Sequence, residues 1–89
     1  METYENRIKR TIDEICEEHQ LKAPIMVPSA GKLIAEYRGI DTAIQLFEGA
    51  ADEARTRGNI FRSSAYEGTL EAMLIPIKTG IKWQPESKK

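Results

Sequence analysis

The chain predicts an all-α fold, a small bundle of four short helices with an extended C-terminal arm. Three observations carry that prediction. Apolar residues recur at three- and four-residue spacing through four segments, which is the helical period. Pro24, Gly39, Gly58 and Pro76 punctuate those segments. A strict period-2 alternation begins only near the C-terminus, where Ile75, Ile77, Thr79, Ile81 and Trp83 occupy every second position. Eighty-nine residues give room for one modest core. We therefore place a single helical domain at 1–76 and an extended arm with a disordered tail at 77–89.

The first helix is expected from Thr3 to about His19, because Tyr4, Ile8, Ile12 and Ile15 share one stripe at about 100° per residue. Glu5–Lys9 and Arg10–Glu14 add i,i+4 pairs outside it. Pro24 forbids continuation and pushes Ala23 out of the helical region. Ala23 to Pro28, bracketed by prolines, reads as an extended connector whose β-branched residues suit a very short strand. Ser29 is the expected N-cap of a second helix, Ala30 to Arg38, which buries Leu33, Ile34 and Tyr37.

Gly39 and Asp41 read as a stop followed by a start, the glycine at a C′ position and the aspartate as an N-cap. A third helix follows from Thr42 to about Arg57, closed by Gly58. Its stripe is Ala43, Ile44, Phe47, Ala50, Ala51 and Ala54. One side is therefore small, Gly49 included, and lets a neighbouring helix approach while Phe47 fills the gap. One long kinked helix across Gly39 is the competing reading. Ser64-Ala65-Tyr66-Glu67 fits a capping box for the fourth helix, with Tyr66, Leu70, Met73 and Leu74 as its apolar face and Pro76 as its end.

Chemistry is sparsely provided for. The chain has one cysteine and one histidine, Cys16 and His19, near the end of the first helix. At i and i+3 they supply two of the four ligands a structural zinc takes, and the helical wheel puts His19 inside the buried stripe with Cys16 at its margin. A helix C-terminus also raises a thiol pKa, so the pair is a poor nucleophile and base. Pro28-Ser29-Ala30-Gly31-Lys32 resembles the end of a phosphate loop, but Met26 stands where the first glycine belongs and Leu33 where Ser or Thr belongs. We expect no catalytic residues, no metal and no cofactor.

Charge divides the chain. Residues 1–53 hold 6 Lys/Arg against 11 Asp/Glu, and residues 54–89 hold 7 against 3. The halves can attract each other within one fold or between two copies. Helix, Gly39 turn and helix also fit a helix-turn-helix, the nucleic-acid alternative, yet Glu48, Asp52 and Glu53 would then face phosphates. Arg55, Arg57 and Arg62, with Lys78, Lys82 and Trp83, offer a thin footprint for a single strand.

The leading expectation is a non-enzymatic protein-binding module, an adaptor or inhibitor of a larger protein, with monomer and homodimer both left open by the sequence. Tyr66, Ile77, Ile81 and Trp83 would make apolar contact, with Arg55, Arg57 and Arg62 as a polar rim. The arm could add a strand to a partner's sheet edge. No apolar run approaches the roughly 20 residues of a membrane span, the N-terminus lacks a signal-peptide core, and a lone cysteine suits a reducing compartment, so a cytoplasmic location without membrane attachment is expected.

Overall fold

The computed structural model describes residues 2–80, in which the elements are α1 (Tyr4–His19), α2 (Val27–Arg38), α3 (Ile40–Thr56), α4 (Ile60–Thr69), a π-helical turn (Leu70–Leu74) and α5 (Ile75–Thr79). The fold is all-helical, with no strand among the described residues. The central element is α3, which packs against every other helix. Its Phe47 is fully buried and meets Tyr66 of α4 edge-on, ring centroids 5.4 Å apart. Around that pair close Ile8, Ile12 and Ile15 of α1, Ile34 of α2, and Leu70 and Leu74 of the π turn. Leu46 joins this core although the sequence stripe omitted it, while Ile44 is only partly buried.

Helix α1 has the expected extent. Thr3 caps it by accepting a hydrogen bond from the Asn6 N–H at 3.1 Å, and Gln20 closes it in the left-handed region. The side-chain pairs differ from the local expectation. Glu5 reaches Arg62 rather than Lys9, and Arg10 reaches Glu2 at 2.9 Å rather than Glu14. His19 is exposed instead of buried and stacks on Tyr37 at 4.3 Å, while Cys16 is half-buried.

Helix α2 starts three residues earlier than the Ser29 cap predicts. Met26 holds the N-cap position and Pro28 lies in the first turn, where a missing N–H leaves no bond unmade. At Gly39 the backbone turns out of the helix (φ 97°, ψ 148°), so α2 and α3 are separate helices rather than one kinked rod. Ile40 begins α3 directly, which moves Asp41 from the cap into the first turn, a favourable place for a negative charge.

The fourth helix also starts early. Asn59, not Ser64, is its cap, the amide oxygen accepting from the Arg62 N–H at 3.1 Å. Pro76 does not end it. The helix widens into the π turn, where the Ile75 N–H reaches back five residues to the Leu70 carbonyl, and then continues as α5 to a left-handed Gly80. A proline ring clashes with the carbonyl four residues back in a regular helix, and the wider turn relieves that clash. Ile75, Ile77 and Thr79 are therefore helical rather than extended, and the division between 76 and 77 falls inside a helix. The remainder of the predicted arm, with Ile81 and Trp83, lies outside the described residues.

Two contacts fix α1 on its neighbours. The Tyr4 ring lies over Gly49, where any Cβ would overlap it. The Tyr4 N–H then donates to both carboxylate oxygens of Glu53 at 2.9 Å, so α3 supplies a second cap for α1. Further along, the Glu5 carboxylate accepts from Arg62 and from the Tyr66 hydroxyl, the latter at 3.1 Å, and joins α1 to α4.

A candidate protein-docking face

The residues singled out from sequence do not converge on one place. Arg55 pairs with Asp52 at 2.8 Å and with Glu67. Arg57 follows the last turn of α3 and, with Arg62, lines a narrow crevice beside Glu5, Glu53 and Tyr66. Tyr66 is buried, its ring on Phe47 and its hydroxyl on Glu5. Burial pushes its phenol pKa upward, and the Tyr66 hydroxyl, ahead of the Glu5 charge, raises that of Arg62. Arg55, Arg62 and Tyr66 thus make contacts of the fold's own joint between α1, α3 and α4, and Arg57 lines the crevice there.

Ile77 is exposed but stands elsewhere. Its helix is tied to the start of α3 by Lys78 and Asp41, 2.9 Å apart. Asp41 and Arg55 are separated by 14 residues of α3, roughly 20 Å at 1.5 Å per residue. The divided charge is consumed partly within the fold, since Glu5–Arg62 and Asp41–Lys78 each join the acidic half to the basic one.

A different face carries the unsatisfied apolar surface. Helix α4 buries Ser63, Tyr66 and Thr69 and leaves Phe61, Ser64 and Gly68 exposed on its opposite side. Pro28 from the first turn of α2 and Ser64, Ala65, Gly68, Thr69, Ala72 and Met73 line an open, largely apolar groove there. Ile60 and Phe61, 76% and 85% exposed, precede it on the first turn of α4. Ile25 and Met26, 96% and 64% exposed, precede Pro28 on the other wall.

Sequence reasoning passed over Ile60 and Phe61 because it placed the helix start at Ser64 and left them in a loop. The available signal was Asn59 followed by two large apolar residues that match no core stripe.

Other chemistries find less in this geometry. Among the described residues no group of three or more His, Cys, Asp or Glu is placed to hold a metal. The turn between α2 and α3 is the single residue Gly39, where a helix-turn-helix has three or four, and Glu48 and Asp52 are exposed on α3. No described helix is long and apolar enough to cross a membrane. Comparison with known proteins gives no matching family model, no matching curated protein and no matching solved structure.

Proposed function

We propose that this chain is a small protein-binding module, an adaptor or inhibitor of a larger protein, that docks through the outer face of α4 and the start of α2. The observation that carries the reading is the exposure of Phe61 on the side of α4 whose Ser64 and Gly68 line an apolar groove. A large apolar side chain transferred from water to an interface contributes roughly 1.5–3 kcal/mol. An exposed ion pair contributes about 0–1 kcal/mol, so apolar residues are the stronger anchor for such a face. Phe61 is the central contact.

A photoreactive phenylalanine analogue at position 61 tests the reading in cells of the source. We expect a discrete protein adduct from position 61 and none from the same analogue at Glu48, which is exposed on α3. Silence at position 61 ends the proposal.

A further inference from the structure

A peptidase cuts a folded chain only where the backbone can lie extended in a foreign cleft without first leaving its own hydrogen bonds. Among the described residues, every Lys and Arg lies inside a helix except Lys22 and Arg57. Those two differ in what holds their backbone. Arg57 sits in the tight turn that ends α3. Its N–H donates to the Glu53 carbonyl at 3.1 Å, and the next two N–H groups, of Gly58 and Asn59, donate to Arg55 and Ala54 at 3.0 and 2.8 Å. Lys22 lies in the connector between α1 and α2. There no backbone hydrogen bond among the described residues engages positions 22–25.

The connector also has the shape a cleft requires. The Pro24 ring confines Ala23 to the extended region and fixes its own φ, and Met26 is extended as well (φ −87°, ψ 144°). Lys22, Ala23 and Ile25 are exposed. Leu21, Lys22 and Pro24 line an open cavity of about 380 Å³ with Leu33 and Tyr37 of α2, so space remains between the connector and that helix. Both ends are anchored. The Leu21 N–H donates to the Cys16 carbonyl at 2.9 Å, and the Met26 carbonyl accepts from the Ala30 N–H at 3.1 Å.

We infer that the Lys22–Ala23 peptide bond is a processing site, at which an endopeptidase specific for basic side chains cuts the folded protein. The exposed Lys22 ammonium suits a specificity pocket that carries a carboxylate. The reaction is hydrolysis and needs only water. The hydroxyl adds to the Lys22 carbonyl carbon, the proton goes to the Ala23 nitrogen, and the C–N bond between them breaks. After the cut α1 has no covalent link to the rest of the bundle. It is held by the burial of Ile8, Ile12 and Ile15 and by the bonds of Tyr4 to Glu53 and of Glu5 to Arg62. The inference does not depend on the docking reading above.

Trypsin at a low ratio to the full chain, followed by intact-mass spectrometry over time, tests this. The first cut within residues 2–80 should fall after Lys22 and outpace every other cut there by about tenfold or more, because the others must wait for local opening. Lys22→Gln should abolish that cut, and Lys22→Arg should keep it. Ile34→Val removes a core methylene and should raise the unfolded population by roughly fivefold. Cuts inside helices should then quicken by the same factor, since they track the open population, while the Lys22 cut keeps its rate. A first cut after Arg57 or after any helical Lys or Arg overturns the site. A Lys22 cut that quickens in step with the helical ones overturns it equally, because the bond would then be reached only through unfolding.

Discussion

Helices α3 and α4 each carry one phenylalanine and one glycine, and the fold uses the two pairs in opposite ways. In α3, Phe47 is fully buried at the centre of the core and Gly49 receives the Tyr4 ring. In α4, Phe61 is 85% exposed and Gly68 opens onto an apolar groove. The same two residue types therefore build an intramolecular joint on one helix and an exposed, unfilled surface on the next. Residue type alone does not separate core from contact surface. What separates them is whether another part of the same chain occupies the space.

The comparison breaks most easily at the phenylalanines. Phe47→Ala should destabilise the domain by about 3–5 kcal/mol, the range for emptying an aromatic core site. Phe61→Ala should stay within about 0.5 kcal/mol of wild type, as surface changes do. Urea unfolding of dilute protein measures both, and a large loss from Phe61→Ala would mean that the ring is held by the chain itself.

The glycines should move stability in opposite directions. Gly49→Ala forces the Tyr4 ring off α3 and should cost about 1–3 kcal/mol, the range for overpacking. Gly68→Ala meets open space and should stabilise the monomer by up to about 1 kcal/mol through helix propensity. Thermal unfolding at low concentration reads both signs, and a destabilising Gly68→Ala would assign that glycine an intramolecular role.

The smallest effect concerns the joint behind α4. Burial raises the Tyr66 phenol pKa above its ordinary 10.0. The neutral phenol is favoured in the folded state, so its contribution is complete below pH 10 and is lost as pH rises through the folded-state value. Unfolding free energy should thus decline above pH 10, and Tyr66→Phe should flatten that decline. An unchanged slope in the variant would remove Tyr66 from the alkaline transition.

How much of this could be read from the chain follows from the range over which each signal acts. Ile8, Ile12 and Ile15 lie within two turns of one helix, so their spacing predicts both the helix and its buried side. Gly39 stops α2 for a reason local to its own backbone. Capping patterns are short and degenerate, and both Asn59 and Ser64 qualify. The earlier cap is used because a helix from Ile60 buries Ser63, Tyr66 and Thr69 on one side. Pro76 shows the same limit. The local rule ends the helix there, but the π turn carries it past proline with Leu70 and Leu74 both buried.

The candidate face was the least legible part. Hydrophobicity predicts burial for Ile60 and Phe61, and only the packed bundle shows that α4 turns its other side inward. Glu5 presents the same problem in polar form, since its nearest sequence partner is Lys9 while its structural partners, Arg62 and Tyr66, lie 57 and 61 residues away.

By itself the sequence determined the helical class, three of the helix stops and most of the core, because periodicity and glycine conformation act within a few residues. Tertiary structure alone decided which caps are used, that helix continues through Pro76, and which apolar residues remain outside. Those outcomes depend on contacts between distant segments, and local spacing carries no record of them.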